Sequence, residues 1–292
     1  MGFQTGFEHI VREGELLAKY TWLRLGGAAQ YFAEPTNLDE LLGLVRRCQE
    51  EDMPVRLLGG GSNLLVSGQG VPGLVIHLTA AEFAGVSVQD GLVVAGGAAK
   101  LSHLIASAVR DGWGGLEALA GVPGSVGGAL HGNASCHGID IGQYTREATV
   151  VTFTGEVVTR QRDDLVFAYR ESSLDELVIL DSRFELEPAD PEELTKRMQK
   201  QWIVNKAAQP LQNENTVMVF RDPGGISAAS LIEDAGVKSA RFGGAGISDR
   251  NANYIVTESD ATSEDVLELI EYLKQRVAER LGIELQTAID IW

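Results

Sequence analysis

The chain has 292 residues, 44% of them apolar and 22% charged, and its 41 acidic against 24 basic side chains leave a net charge of −17. That composition is ordinary for a globular protein and excludes a disordered one, and at roughly 100–200 residues per domain the length predicts two or three folded units. So acidic a surface repels phosphate backbones and anionic bilayers, which argues against nucleic acid and membrane partners; an anionic substrate would need a locally basic pocket.

The opening MGFQTGFEHIVREGELL lacks a long apolar run and carries acids early. It reads as neither a secretory signal nor a membrane span, and a cytoplasmic location is expected. Gly2 follows Met1, but the rest of a myristoylation pattern is not met. Residues 21–78 alternate strand and helix signals as a compact α+β unit: QYFAEP, NLDELLGLVRRCQEED, PVRLLGG and GLVIHL. Asn37 with Glu40 three residues on predicts a helix N-cap with its reciprocal acid, and Leu41, Leu42, Val45 and Cys48 supply the apolar stripe. VSVQDGLVVA predicts a hairpin around Asp90-Gly91, and SHLIASAVRDGW a helix capped by Ser102 and ended by Gly112.

From Ala148 to Leu186 the chain is strand-rich, with a hairpin in TVVTFTGEVVTR and a further strand in VILDSRFEL. The acid-rich EPADPEEL, with its two prolines, marks a boundary before the helical LTKRMQKQWIVNKA. Ser227 and Gly236 bracket another helix. SEDVLELIEYLKQRVAERLG predicts an amphipathic helix capped by Ser263 and stopped by Gly282. Cys48 and Cys136 lie far apart, and His9, His77, His103 and His131 form no cluster, so no metal is expected.

Two glycine-rich turns carry the chemistry. Gly59-Gly60-Gly61-Ser62-Asn63-Leu64 follows a predicted strand, and Pro123-Gly124-Ser125-Val126-Gly127-Gly128 leads on to Asn133-Ala134. Glycines permit positive φ and let main-chain N–H groups converge on an anion, which is how a loop cradles a pyrophosphate. Neither turn is a Walker A motif, for no Gly-Lys-Ser/Thr closes it, and neither fits the dinucleotide fingerprint. Asn133-Ala134-Ser135 has the form of a glycosylation sequon, but it sits inside the expected cofactor loop.

Thr21-x-x-Arg24-x-Gly26-Gly27, then GGGSNLL, GLEALAGVPGSVGGALHGN and Phe167-x-Tyr169-Arg170-x-Ser172 together resemble the UDP-N-acetylenolpyruvoylglucosamine reductase family, in its shorter type II. The resemblance runs from about Thr21 to the C-terminus. It implies an α+β fold with a bipartite FAD-binding domain of the vanillyl-alcohol-oxidase (PCMH) type and a C-terminal α/β substrate domain. The domains expected are 1–188, in subdomains of about 1–78 and 79–188, and 189–292. It implies an enzyme in which NADPH reduces non-covalent FAD and a hydride passes to the enolpyruvyl double bond of a UDP-sugar, giving UDP-N-acetylmuramate for peptidoglycan. Cofactor contacts are expected from Arg24, Gly59, Gly60, Gly61, Ser62, Asn63, Leu64, Pro123, Gly124, Ser125, Gly127, Gly128, Asn133 and Ala134. Arg170 takes the place of the family's catalytic arginine, and a guanidinium suits a carboxylate because it stays charged and offers two donors. Tyr169, Lys206 and Arg221 are expected to bind substrate, and the protein is expected to be a monomer.

Two departures stand against that reading. Aligned without a gap on Gln209–Pro223, the family's proton-donating serine falls on Met218, and its terminal Leu-Glu-Pro-Glu-Val pattern falls on LQTAI, which puts Ala288 at its glutamate. A thioether has no proton to give. Thr216, two residues away on the same strand face, or a bound water are the replacements on offer. Asp222 stands where the family has asparagine, and Arg221 keeps the charge of a lysine. The alternatives are a catalytically degenerate FAD-binding relative, with a binding or regulatory role, or a different flavin reaction. Cys136-His137 beside the cofactor loop also raises covalent flavin attachment, but the family resembled holds FAD without a bond.

Overall fold

The structure is a computed structural model that describes residues 2–210 and 215–292, so Leu211 to Glu214 of the Gln209–Pro223 alignment lie outside the described residues. Strands Val11–Leu16 (β1), Ala28–Ala33 (β2), Val55–Leu58 (β3) and Val71–His77 (β4) form a sheet in the order β1-β2-β4-β3, with β3 and β4 parallel. Helix Leu38–Glu50 (α1) connects β2 to β3 and buries Leu41, Leu44, Val45 and Cys48. Asn37 caps it as expected, its side chain accepting from Glu40 N at 3.0 Å. The Glu40 carboxylate turns to Thr36 N at 2.7 Å.

A second sheet joins Val86–Gln89 (β5), Leu92–Gly96 (β6), Thr145–Val151 (β7), Val157–Gln161 (β8) and Val178–Phe184 (β9) in the antiparallel order β8-β7-β9-β6-β5. The β5–β6 hairpin turns on Asp90 and Gly91, with φ of 51° and 79°, the paired positive angles of a primed turn. Strand β9, whose register against β7 shifts between Ile179 and Asp181, serves two cores. Ile179 and Phe184 pack with Leu104 and Leu130, while Val178 and Leu180 pack with Leu41, Leu74 and Phe83. Leu104 and Leu130 belong to helices Leu101–Arg110 (α2) and Val126–His131 (α3), and helix Pro191–Ala208 (α4) adds Leu194 to the same core. The N-cap of α2 is Lys100 and not Ser102: Leu101 is fully buried and its N–H bonds to Gly124 O at 3.0 Å, which draws the helix start inward.

The third sheet is antiparallel, with Thr216–Met218 (β10), Arg241–Phe242 (β11), Ala245–Ile247 (β12) and Tyr254–Thr257 (β13) in the order β10-β13-β12-β11. Helices Ala228–Asp234 (α5) and Ser263–Leu281 (α6) bury Leu231, Ile232, Val266, Leu269, Ile270 and Leu273 in its core. Ser227 caps α5, as expected, and Gly236 follows with φ of 69°. For α6 the cap is Thr262, one residue before the expected Ser263. Thr262 Oγ1 accepts from Asp265 N while Asp265 accepts from Thr262 N, and Ser263 Oγ is instead committed to Val66 O at 2.6 Å.

The chain forms two compact units. One holds the residues up to Glu15 with 30–60 and 72–205; the other holds 16–29, 61–71 and 206–292. In the second unit the C-terminus is threaded into the 61–71 segment: Ser67 N donates to Trp292 O at 2.7 Å and Trp292 N to Leu65 O at 2.9 Å. Among the described residues no helix is long and apolar enough to cross a membrane, and no acidic, Cys or His cluster could hold a metal ion.

Candidate active site

In the first unit the two glycine turns meet. A Cβ on Gly60 would lie 3.2 Å from Gly124 Cα, one on Gly59 3.1 Å from Ser125 Oγ, and one on Gly127 3.2 Å from Gly97 O. Three stretches of bare backbone therefore converge where any larger residue would crowd them. The second turn is pinned to the end of β6, since Val126 N donates to Ala99 O and Gly127 N to Gly97 O, both at 2.8 Å. In a chain of net charge −17, neither 58–65 nor 121–134 contains a single carboxylate.

Asn133 ends this loop in left-handed backbone, φ 40°, and is 3% exposed. Its Nδ2 donates to Ala168 O at 2.8 Å and its Oδ1 accepts from Gly142 N at 3.2 Å. Ala168 belongs to a small hairpin in which Phe167 pairs with Ser172 and Ala168 with Glu171, so Tyr169 and Arg170 form its tip. Ser172 Oγ donates to His131 O at 2.9 Å, a second staple on the same hairpin. Arg170 occupies φ 59°, a conformation that costs a non-glycine residue about 1–2 kcal/mol. Its Nε is buried without a hydrogen-bond partner among the described residues. A buried donor left in this state fits an anionic ligand that completes it.

Beside the same loop, Asn205 of α4 is 5% exposed and gathers three segments. Its Nδ2 donates to Ala120 O at 2.6 Å, while its Oδ1 accepts from Cys136 Sγ at 3.0 Å, His137 Nε2 at 3.1 Å and Gln201 Nε2 at 3.1 Å. Burial pushes the Cys136 thiol pKa up, against the opposing pull of the Asn205 hydrogen bond and the Arg170 charge. Asn205 carries no motif that sequence reasoning could have used; an amide in a helix is a common surface residue.

The second unit holds the remaining candidates. Arg24 has φ of 57° and its Nη1 donates to Lys19 O at 2.7 Å. Gly61 takes φ 63° with Tyr20 O only 2.0 Å from where a Cβ would stand, so no other residue fits. Asn63 Nδ2 donates to Ala288 O at 2.7 Å. Leu64 is buried and starts a short parallel pairing with Asp290-Ile291. Lys206 Nζ lies 3.5 Å from Gln209 Oε1.

Met218 and Ala288, picked from two separate stretches of the sequence, lie on neighbouring segments here. Ala288 N donates to Val219 O at 2.7 Å, Arg221 N donates to Gln286 O at 2.9 Å, and Phe220 bridges Thr287. Buried Asn253 fixes this strand by accepting from Phe220 N at 2.9 Å and donating to Phe220 O at 2.8 Å. The two segments thus pair along one edge, with apolar side chains at both 218 and 288. Thr216, the suggested stand-in, is 5% exposed. Asp222 Oδ1 accepts from Ala228 N at 2.8 Å, a bond asparagine would also make, so that substitution keeps the turn and adds a charge.

A UDP-N-acetylenolpyruvoylglucosamine reductase of Rhodopirellula baltica is 39% identical over 97% of this chain and 93% of its own length. The chain belongs to the UDP-N-acetylenolpyruvoylglucosamine reductase family. A relative of the same description from Symbiobacterium thermophilum is 40% identical over 97% of this chain and 92% of its own length. The family's C-terminal domain matches residues 209–292, and an FAD binding domain matches 29–160. The crystal structure of the Thermus caldophilus UDP-N-acetylenolpyruvylglucosamine reductase superposes with a TM-score of 0.81 at 32% identity, covering 97% of this chain and 99% of that one. A berberine bridge enzyme variant, 16% identical with a TM-score of 0.50 over 75% of this chain, shares the fold. The fold is therefore α+β, an FAD binding domain joined to the reductase's C-terminal domain. The acid-free glycine turns, tight against a Cβ at Gly59, Gly60 and Gly127 and closed to one at Gly61, fit a diphosphate-bearing cofactor such as FAD.

Proposed function

We propose that the chain is an FAD-dependent reductase that draws on NADPH and converts the enolpyruvyl ether of UDP-N-acetylglucosamine to UDP-N-acetylmuramate, a peptidoglycan precursor. The observation that carries this reading is Arg170, strained and with a buried donor unmet, beside a glycine cradle in a chain of that family. Arg24, Gly59 to Leu64, Pro123, Gly124, Ser125, Gly127, Gly128, Asn133 and Ala134 would hold FAD non-covalently. When bound, FAD supplies the hydride. Residues 1–188 form the cofactor domain, in subdomains of about 1–78 and 79–188, and 189–292 the substrate domain. The protein acts as a cytoplasmic monomer.

The chain's own groups do the rest. Arg170 grips the substrate carboxylate through its planar fork and steadies the negative charge that grows on it as the double bond is reduced. Tyr169 lies 5.9 Å from the Arg170 guanidinium and restricts its swing. Lys206 and Arg221 meet the anionic diphosphate or sugar groups as cations. Asn133 holds the hairpin that aims Arg170.

An anaerobic spectral titration tests this. NADPH should bleach the bound flavin, and the enolpyruvyl UDP-sugar, but not UDP-N-acetylglucosamine itself, should restore its colour. Apolar Met218 and Ala288 favour a second reading, a flavin-binding relative without this turnover. It is selected if NADPH bleaches the flavin and the enolpyruvyl sugar leaves it bleached, or if no flavin change occurs at all.

A further inference from the structure

We propose that Asn205 is the positioning residue of the cofactor cradle: one buried amide clasps both ends of the 121–134 turn against α4 and so sets how tightly that turn holds FAD. The inference rests on the FAD reading of the turn given above and adds a residue that touches neither cofactor nor substrate in that reading. Asn205 Nδ2 donates at 2.6 Å to the carbonyl of Ala120, the residue directly before the turn. Its Oδ1 accepts at 3.0 Å from Cys136 Sγ and at 3.1 Å from His137 Nε2, just beyond the end of the turn. A single side chain therefore closes the loop at its neck. An amide is suited to this because it donates to a carbonyl and accepts from a thiol and an imidazole at once, which neither a carboxylate nor an amine can do.

The composition of the turn makes such a fastening necessary. Five of the twelve residues from Gly121 to Gly132 are glycine, which clears space for main-chain N–H groups but leaves the chain more freedom to lose on binding. Its middle is fixed by Val126 N and Gly127 N on the end of β6 and by Leu101 N on Gly124 O. Asn133 ties its far limb to the Arg170 hairpin. The neck is left to α4. Gly121 has φ of 94°, and a Cβ there would stand 3.2 Å from Asn205 Cβ, so the chain enters the turn pressed onto the helix at this residue. Asn205 is itself braced one helical turn earlier, where Gln201 Nε2 donates to the same Oδ1 at 3.1 Å. At 5% exposure, water competes poorly for these bonds. A turn held beforehand in its binding shape loses less freedom when the ligand arrives, and the difference is expressed as affinity.

The test uses the full-length protein, stripped of FAD and reconstituted, and reads cofactor binding without turnover. N205A should bind FAD ~10–100-fold more weakly than the unmodified protein, the worth of two or three net hydrogen bonds. The visible circular dichroism of its bound flavin, a signature of the cradle's shape that a loss of global stability does not move, should change as well. N205D keeps an acceptor for Cys136 and His137 but has no donor for Ala120 O, so it should fall short of the unmodified affinity. In the unmodified apoprotein, added FAD should slow deuterium exchange in 119–137 and in α4 around Asn205 together. A folded N205A protein with unchanged affinity or an unchanged flavin signal overturns the proposal. So does N205D at full affinity, or an α4 whose exchange ignores FAD, and this last result decides alone if N205A does not fold. Unmodified protein that takes up no FAD rejects the cofactor reading and the clasp with it, whereas equally tight FAD in the unmodified protein and N205A rejects the clasp only.

Discussion

Single side chains set the geometry around Arg170, and each can be removed. Asn133 satisfies Ala168 O and Gly142 N from a 3% exposed position, so N133A leaves two backbone groups unmet and should destabilise the protein by about 1–3 kcal/mol. Urea unfolding midpoints would measure it; an unchanged midpoint would mean the hairpin is not held there. Arg170→Lys keeps the charge and loses the fork. By the ~1.5–3 kcal/mol of a charged hydrogen bond it should lower kcat/KM roughly 10–100-fold, with flavin bleaching by NADPH unaffected. An equal loss in both half-reactions would place Arg170 with the cofactor. At this scale the sequence was readable where a motif existed. Tyr169-Arg170-x-Ser172 and the glycine turns carry their chemistry in their letters, whereas Asn205 and Asn253 act through partners 85 and 33 residues away. No local spacing encodes such contacts.

Elements were legible in proportion to their length. The 13 residues of α1 and the 19 of α6 repeat their apolar stripe over several turns. Two- and three-residue strands such as β10 and β11 show no period, and tertiary pairing alone defines them. Caps were read to within two residues, and the errors have causes: Leu101 is pulled into its helix by Gly124 O, and Ser263 is occupied by Val66 O. T262A should therefore cost α6 about 0.5–2 kcal/mol in thermal or urea unfolding, the usual worth of an N-cap. At α1, Thr36 N, with His9 behind it, holds the Glu40 carboxyl down to about 2 from 4.5. The folded-state pKa is depressed, so its contribution is complete above about 4.5 and is lost as pH falls through about 2. The Tm difference between the unmodified protein and E40Q should be constant at neutral pH and close over that window. A difference independent of pH would deny the link.

At the scale of the whole molecule, fold class and family were within reach because two loops and a hairpin, more than a hundred residues apart, occur in one fixed order. The division of the chain was less accessible. The boundary between compact units falls inside the first glycine turn, between Gly60 and Gly61, and segments 16–29 and 61–71 group with the C-terminal part. Hydrogen bonds from Ser67 and Trp292 create that grouping, and no composition shift announces it. The net charge of −17 acts on the molecule as one body. Against a nucleotide-sugar carrying a diphosphate and a carboxylate it opposes encounter, so KM should fall as salt rises from low ionic strength and the Debye length shrinks below about 10 Å. A KM that rises steadily with salt would point to a dominant basic funnel.

With the glycine cradle and Arg170 in place, reduction is expected to proceed with Met218 and Ala288 as they stand. The direct measurement is mass spectrometry of the nucleotide product after the unmodified protein is mixed with NADPH and the enolpyruvyl UDP-sugar. Conversion at an ordinary enzyme rate, on the order of 10 s⁻¹, to a species heavier by one hydride and one proton is expected. Bound FAD that is bleached by NADPH, with no such product until M218S and A288E are both introduced, would contradict it.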